Sequence, residues 1–176
     1  MFTQLNPTEI VLGHLRTLGK KDLKNKDTIS TLPTLLFLST GLPFAFLQAL
    51  TVSNSYFLTS EIVGTIVSAA SIIAGLLLNL LVLIYTLVVN HLKELKDSRE
   101  LFKRVALHTF YNISFTVLAS LLLVLVSLMC LANNLTIRVI GNISTFYVGP
   151  LVAVSLLMVL KKCHKLINFY LSKEEF

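Results

Sequence analysis

Charged side chains are scarce in this sequence, and four long intervals lack them altogether. Only 14% of the residues are charged, compared with about 25% in ordinary globular proteins. Aspartate, glutamate, lysine and arginine are all missing from residues 28–60, 62–92, 105–137 and 139–160. Together with a mean hydropathy of +0.79, this scarcity excludes a soluble globular domain and indicates an integral membrane protein.

The residues from which catalytic and metal sites are usually built are few and scattered. Cys130 and Cys163 are expected on opposite sides of the membrane, so they suggest no disulfide framework. The four histidines form no metal-ligand motif, and no glycine-rich phosphate loop occurs. The hydrophobic intervals hold no acidic or basic residue at depth, which disfavours proton-coupled transport and voltage sensing. We therefore expect no enzymatic activity and no cofactor.

The four uncharged intervals have the length and continuity of membrane helices. A spanning helix needs about 20 apolar residues, and the intervals contain 33, 31, 33 and 22 residues. Polar and apolar residues do not alternate in them, which favours helices over a β-barrel. We predict an all-α integral membrane protein with four transmembrane helices, numbered here as spans one to four, at residues 32–53, 62–89, 109–132 and 139–160.

The basic residues are distributed unevenly, and this predicts the orientation of the chain. Of the 15 lysines and arginines, 14 lie in the N-terminal segment 1–31, the connection 90–108 and the tail 161–176. These three segments share one side of a four-span chain, and basic residues favour the cytoplasmic side. We therefore expect an inner (plasma) membrane protein with both termini in the cytoplasm. The basic segments are short and lack a folded module for nucleic acid, so we expect no direct nucleic-acid binding.

Two cytoplasmic segments have patterns typical of helices. The sequence Asn6-Pro7-Thr8-Glu9 resembles a helix cap, and apolar residues follow at helical spacing through residue 18. This amphipathic helix is expected to lie on the membrane, to dock on the chain's own cytoplasmic loop or to bind a partner. In the connection 90–108, charged pairs four residues apart favour a projecting helical hairpin, either a solvated connector or a docking surface. The basic residues expected to contact a partner or lipid headgroups are Arg16, Lys20, Lys21, Lys93, Lys96, Arg99, Lys103 and Arg104.

Small and polar residues form a stripe along each span. In span two they recur every three or four residues and include an amide, Asn79, inside an apolar run. Such residues let helices approach closely or hydrogen-bond to one another. The stripes comprise Gly64, Ser68, Ser71, Gly75 and Asn79 in span two; Asn112, Thr116, Ser120 and Ser127 in span three; and Gly141, Thr145 and Gly149 in span four.

The sequence leaves three interpretations of these stripes open. They can meet inside a four-helix bundle, face the same stripe in a second copy of the chain, or line a narrow pore. In a bundle, Asn79 is expected to hydrogen-bond to Gln48 of span one or to a hydroxyl of span three. Pro43 is expected to kink span one, with Ser39 or Thr40 satisfying the carbonyl that it frees.

The order of these parts resembles a known group of membrane proteins. A short basic N-terminus comes before span one, and "SIIAGLLLNLLVLIYTLVV" (residues 71–89) runs into the charged hairpin. This is similar to the small four-span membrane components of bacterial anti-phage defence systems, such as the KwaA-like membrane subunit of the Kiwa type and four-span pore-forming effectors. The resemblance covers the architecture of the whole chain and assigns no site residue. It implies a homo-oligomeric, non-enzymatic sensor or scaffold that recruits or controls a cytoplasmic effector protein, or alternatively a pore that depolarises the membrane.

Overall fold

The computed structural model of the protein describes residues 7–18, 31–52, 57–91 and 99–174, and it is all-helical there. The predicted all-α fold class is therefore confirmed for this part of the chain. The helices are α1 (Pro7–Leu18), α2 (Thr31–Ser39), α3 (Leu42–Val52), α4 (Ser60–His91), α5 (Arg99–Met129) and α6 (Leu135–Glu174).

Four helical segments within these residues are long and apolar enough to cross a membrane. They are Thr34–Thr51, Ser60–Thr86, Val105–Met129 and Leu135–His164. Each overlaps one predicted span, so the chain is compatible with a multi-pass membrane protein. The prediction for span four begins too late. α6 already starts at Leu135, because Asn134 caps it by accepting a hydrogen bond from the Thr136 N–H at 2.9 Å.

Span one is interrupted rather than merely kinked. The helix breaks at Thr40 and Gly41, and Pro43 follows in the first turn of α3, where its missing N–H is tolerated. The Thr40 hydroxyl donates to the carbonyl of Phe37 at 2.7 Å. The predicted hydroxyl–carbonyl contact is therefore present, but it satisfies a carbonyl near the end of α2 instead of the one four residues before Pro43.

A close contact with α6 explains the glycine at this break. Gly41 lies against Tyr147, and a Cβ at Gly41 would collide with the backbone carbonyl of Tyr147. The Tyr147 hydroxyl in turn donates to the carbonyl of Leu38 at 3.0 Å. Span one is thus fixed to α6 at the point where its own helix is interrupted.

The spanning helices pack in a row. α5 packs along both α4 and α6, and α3 packs along α6. No close backbone contact joins α4 to α6 or to α3 in the described part of the chain. The order across the row is therefore α4, α5, α6 and span one, with α4 and span one at the edges. A bundle in which all four polar stripes meet is not what the chain forms.

Apolar contacts fill the interfaces between neighbouring helices. Two clusters of buried side chains connect α4, α5 and α6. Large apolar residues also cover the outer faces, where Leu76 and Leu125 are more than 60% exposed. Lipid tails are as apolar as leucine, so these exposed faces are compatible with a bilayer. For the same reason, the interior of the protein need not be more apolar than its outer faces. The buried residues of the two clusters are Leu77, Ile84, Ala106, Ile113, Val117 and Val159, and Ala70, Leu123, Val148 and Val152.

Candidate functional site

The polar stripe of span three lies inside the protein. Asn112, Thr116, Ser120 and Ser127 are fully buried along α5. Thr116 donates to the Asn112 carbonyl at 2.8 Å, and Ser120 donates to the Thr116 carbonyl at 2.9 Å. Hydroxyls that bond to their own helix in this way need no partner across the interface. These residues therefore serve helix packing in the single chain.

The N-terminal half of this stripe receives the N-terminal helix. α1 packs on α5, and His14 is fully buried there. His14 Nδ1 lies 2.7 Å from Asn112 Oδ1, and the Thr17 hydroxyl donates to the same oxygen at 2.7 Å. Because an amide oxygen only accepts hydrogen bonds, Nδ1 carries the proton of the neutral imidazole. α1 thus docks on the chain itself, but on span three and not on the predicted loop.

Aromatic rings enclose the His14 side chain. Its ring stacks on Phe115 with centroids 3.9 Å apart, and Phe37 of α2 packs edge-on at 5.2 Å. Beside it, Gly13 lies directly against the ring of Tyr111. A Cβ added at Gly13 would be only 2.5 Å from that ring. The missing side chain at Gly13 lets α1 approach α5 closely enough for His14 to reach its partner.

Two buried polar atoms at this contact, and the hydroxyl of Thr34 on α2, have no hydrogen-bond partner among the described residues. They are His14 Nε2, Asn112 Nδ2 and Thr34 Oγ1. Burial lowers the pKa of His14 to about 4; the hydrogen bond to Asn112 opposes this shift and the charge of Lys162 adds to it. His14 is therefore neutral at pH 7.

A second polar cluster lies at the opposite end of α5. The Thr145 hydroxyl donates to the Gly141 carbonyl at 2.8 Å and lies 3.5 Å from Ser127 Oγ. It is also 3.7 Å from Cys130 Sγ. Gly141 permits this approach, since a Cβ there would be 2.8 Å from the backbone nitrogen of Cys130. The stripes of spans three and four therefore pack together at this end.

α6 also holds the residues that precede α4. The side-chain oxygen of Asn142 accepts a hydrogen bond from the Leu58 N–H at 3.4 Å. The guanidinium of Arg138 lies 4.6 Å from the centre of the Phe57 ring, within range of a cation–π interaction. Arg138, which lies outside the three basic segments of the sequence, thus has a structural contact.

The polar stripe of span two lies on the outside of the protein. Its five residues are all exposed. A Cβ added at Gly64 or at Gly75 would have no neighbouring atom within 4 Å. α4 instead packs on α5 through a different face, which includes the buried Ala70 and Leu77. The exposed stripe residues are Gly64, Ser68, Ser71, Gly75 and Asn79.

Asn79 does not meet either of its predicted partners. It is exposed on α4 at one edge of the row, whereas Gln48 lies on α3 at the other edge. The hydroxyls of span three face inward, away from it. The predicted hydrogen bond to Gln48 or to span three is therefore wrong for the single chain. The reason is that a face of α4 lined by alanine and leucine can pack on α5 just as closely as a polar face could.

Gly149 lies apart from the other stripe residues of span four. It lines a groove of about 390 Å³ between α4 and α6, next to Leu123 of α5. The groove is apolar and contains small residues, including Ala69 and Ala153. Pro150, inside α6, also lines it. A Cβ added at Gly149 would have no neighbouring atom within 4 Å. Helix packing in the single chain therefore does not require a glycine at this position.

The basic residues expected to contact a partner or lipid are only partly described. Arg16 is exposed on α1. Lys20, Lys21, Lys93 and Lys96 lie outside the described residues. Arg99, Lys103 and Arg104 belong to α5, whose first turns precede the apolar segment Val105–Met129. α5 is therefore helical from Arg99 onward, and residues 92–98 of the predicted hairpin lie outside the described residues.

The residue that sequence reasoning missed is His14. The sequence places it on the apolar face of the N-terminal helix, next to Ile10 and Leu15 in helical spacing, but gives it no role. A histidine on an otherwise apolar helix face indicates that this side chain has a polar partner. The partner, Asn112, lies 98 residues away in the sequence, so no local pattern identifies it. Within the described ranges, no group of three His, Cys, Asp or Glu side chains could hold a metal ion.

Comparisons with known proteins leave the chain without an identified relative. No family model, no curated protein and no solved structure matches it.

Proposed function

We propose that this chain is a non-enzymatic subunit of the inner (plasma) membrane that self-associates and recruits or controls a cytoplasmic effector protein. Both termini and the connection 90–108 are cytoplasmic in this proposal, as the distribution of basic residues favours. The subunit acts as a sensor or scaffold, and the effector supplies the chemistry. The resemblance to small four-span defence components supports a role against phage.

The exposed polar stripe of α4 is the observation that carries the proposal. Asn79 lies inside the apolar segment Ser60–Thr86 and points away from the rest of the chain. In a single chain its amide would face lipid hydrocarbon, where a polar group without a hydrogen bond is costly. A second helix on this face would remove the amide from lipid, and the small residues would let that helix approach closely.

A second copy of α4 is the partner that this face fits best. An amide both donates and accepts, so two Asn79 side chains related by a twofold axis can bond to each other. Ser71 and Gly75 lie one turn apart and form the small-residue pair that permits close helix contact. Because α4 is at an edge of the row, a second chain can reach its outer face without displacing any described helix.

Cysteine cross-linking in native membranes tests this self-association. Ser71→Cys, in a chain whose Cys130 and Cys163 are replaced by alanine, is expected to form a disulfide-linked dimer on oxidation with copper phenanthroline. Leu76→Cys is the matched control, since Leu76 is also exposed but lies about 140° further around the helix. Equal cross-linking at the two positions would contradict the proposed interface.

The effector is expected to bind the basic cytoplasmic side through an acidic surface. Arg16 is exposed on α1, and Arg99 begins α5 ahead of its apolar segment. Both belong to the three segments that hold 14 of the 15 lysines and arginines. Replacing Lys93, Lys96, Arg99 and Lys103 by glutamate should abolish recovery of the effector in affinity purification from the native host. The control exchanges lysine and arginine at the same four positions and should retain it. Intact recovery and intact function in the glutamate variant would sink this part of the proposal.

A pore is the alternative function that the outward stripe supports. If several copies turned the stripe of α4 toward a common axis, Ser68, Ser71 and Asn79 would line a narrow polar path. Purified protein should then conduct ions in planar bilayers, and Asn79→Leu should remove the conductance. Silent bilayers, at concentrations where the Ser71→Cys dimer forms, would refute the pore and leave the scaffold.

A further inference from the structure

The docked face of α1 depends on one buried polar side chain. Ile10, Gly13 and His14 are the buried residues of this helix. Ile10 and Gly13 contribute apolar or backbone contacts, while His14 makes a 2.7 Å hydrogen bond to Asn112. α1 packs mainly on α5, with a smaller contact to α2. The state of His14 therefore bears directly on whether α1 stays in place.

The contacts of His14 suit only the neutral imidazole. Nδ1 already donates to Asn112 Oδ1, so the second proton of an imidazolium would have to sit on Nε2. Nε2 is buried and has no acceptor among the described residues. The rings of Phe115 and Phe37 enclose the side chain. A proton on Nε2 would thus create a buried charge with an unsatisfied donor.

The ionisable groups around His14 do not offset such a charge. α6 presents Lys162, a cation, which lowers the pKa of His14 further. α5 presents Tyr111, whose ring lies under Gly13, and α2 has no ionisable side chain. On α1 itself, Glu9 and Arg16 are exposed, and no carboxylate contributes to the charge balance of His14 within the described residues.

We propose that α1 is a latch on the transmembrane helices, held by neutral His14 and released when this side chain is protonated. Release would uncover Asn112 and Phe115 on α5 and free α1, with its exposed Arg16, to take another position. The latch is a property of the single chain, so it stands or falls independently of self-association through α4.

The direction of the pH dependence follows from the two states of His14. Its pKa is about 4 when α1 is docked, against an ordinary value of 6.5 when it is free. A lowered pKa means that docking is at full strength above about pH 6.5 and is lost as the pH falls toward 4. Between pH 7.5 and pH 5 the docking constant is expected to fall about 30-fold.

Distance measurements between two spin labels test the latch in the full chain. The labels are placed at Leu12→Cys on α1 and Leu107→Cys on α5, which are both exposed, with Cys130 and Cys163 replaced by alanine. Labelled protein is diluted with unlabelled protein in lipid nanodiscs and frozen at pH 7.5 and pH 5. The distance distribution should be narrow at pH 7.5 and should broaden at pH 5.

Two substitutions separate the latch from general acid unfolding. His14→Gln removes the titrating group, so its distance distribution should be the same at both pH values. Asn112→Asp supplies a carboxylate for the imidazolium, so α1 should remain docked at pH 5. An unchanged wild-type distribution, or equal broadening in wild type and both variants, would overturn the proposal.

Discussion

The His14 imidazole and the Asn112 amide, 98 positions apart in the sequence, lie 2.7 Å apart in the buried contact between α1 and α5. This pair joins the N-terminal helix α1 to the buried polar face of α5. Asn112 was predicted as part of a packing stripe, and His14 was not predicted to contact it. The buried Asn112 also contrasts with Asn79, which is exposed.

Asn112→Leu should destabilise the protein, whereas Asn79→Leu should not. The first change leaves the Nδ1–H of His14 buried without its acceptor, which typically costs about 1–3 kcal/mol. The Thr17 hydroxyl keeps an acceptor, because the His14 carbonyl also lies 2.7 Å from it. The second removes an exposed amide, so the free energy of unfolding of the monomer should change by less than about 0.5 kcal/mol. Equilibrium unfolding in mixed micelles of mild detergent and SDS measures both. A larger loss in Asn79→Leu than in Asn112→Leu would contradict the assigned positions.

Gly41→Ala should destabilise the contact between span one and α6. The added Cβ would collide with the backbone carbonyl of Tyr147, which has no side-chain torsion through which to move away. Overpacking of this kind costs about 1–3 kcal/mol of unfolding free energy. Gly64→Ala is the control, since a Cβ at Gly64 would meet open space. The same micelle titration should show no loss for Gly64→Ala, and a loss of similar size in both variants would argue against the contact.

Gly13→Ala should loosen α1, and shortening Tyr111 should relieve the effect. The new Cβ would lie 2.5 Å from the Tyr111 ring, so α1 must shift away from α5. Trypsin cleavage after Arg16, followed by mass spectrometry, reports how often α1 leaves its position. Cleavage should be faster in Gly13→Ala than in the wild type, and adding Tyr111→Ala should cancel part of this increase. Residues in direct contact show coupling of about 0.5–3 kcal/mol in such a cycle, so purely additive changes would refute the contact.

Thr145→Val should weaken the packing of α5 on α6 by a small amount. The hydroxyl lies 3.5 Å from Ser127 Oγ and 3.7 Å from Cys130 Sγ, and polar contacts between membrane helices contribute about 0.6 kcal/mol, up to about 1.7. Thr86→Val is the matched control, because the Thr86 hydroxyl is exposed and bonds only to carbonyls of its own helix. Equal unfolding free energies for both variants would show that the Thr145 contacts contribute nothing across the interface.

The sequence by itself determined the number and approximate limits of the four apolar helical segments and a distortion near Pro43, which was predicted as a kink and is an interruption. These follow from strong local terms: charged side chains are costly in hydrocarbon, and proline lacks a backbone donor. The helical character of residues 7–18 was also readable, because the cap residues and the apolar spacing are local signals. Element limits were less accurate where a cap such as Asn134 decided them.

Only the tertiary structure decided which face of each helix is inside. The stripes of α4 and α5 look alike in sequence, yet Asn79 is exposed and Asn112 is fully buried. The physical reason is that lipid tails and leucine side chains are equally apolar, so hydrophobicity does not distinguish inner from outer faces. Packing between particular helices makes that choice, and it placed α4 at an edge, turned its stripe outward and brought His14 to Asn112.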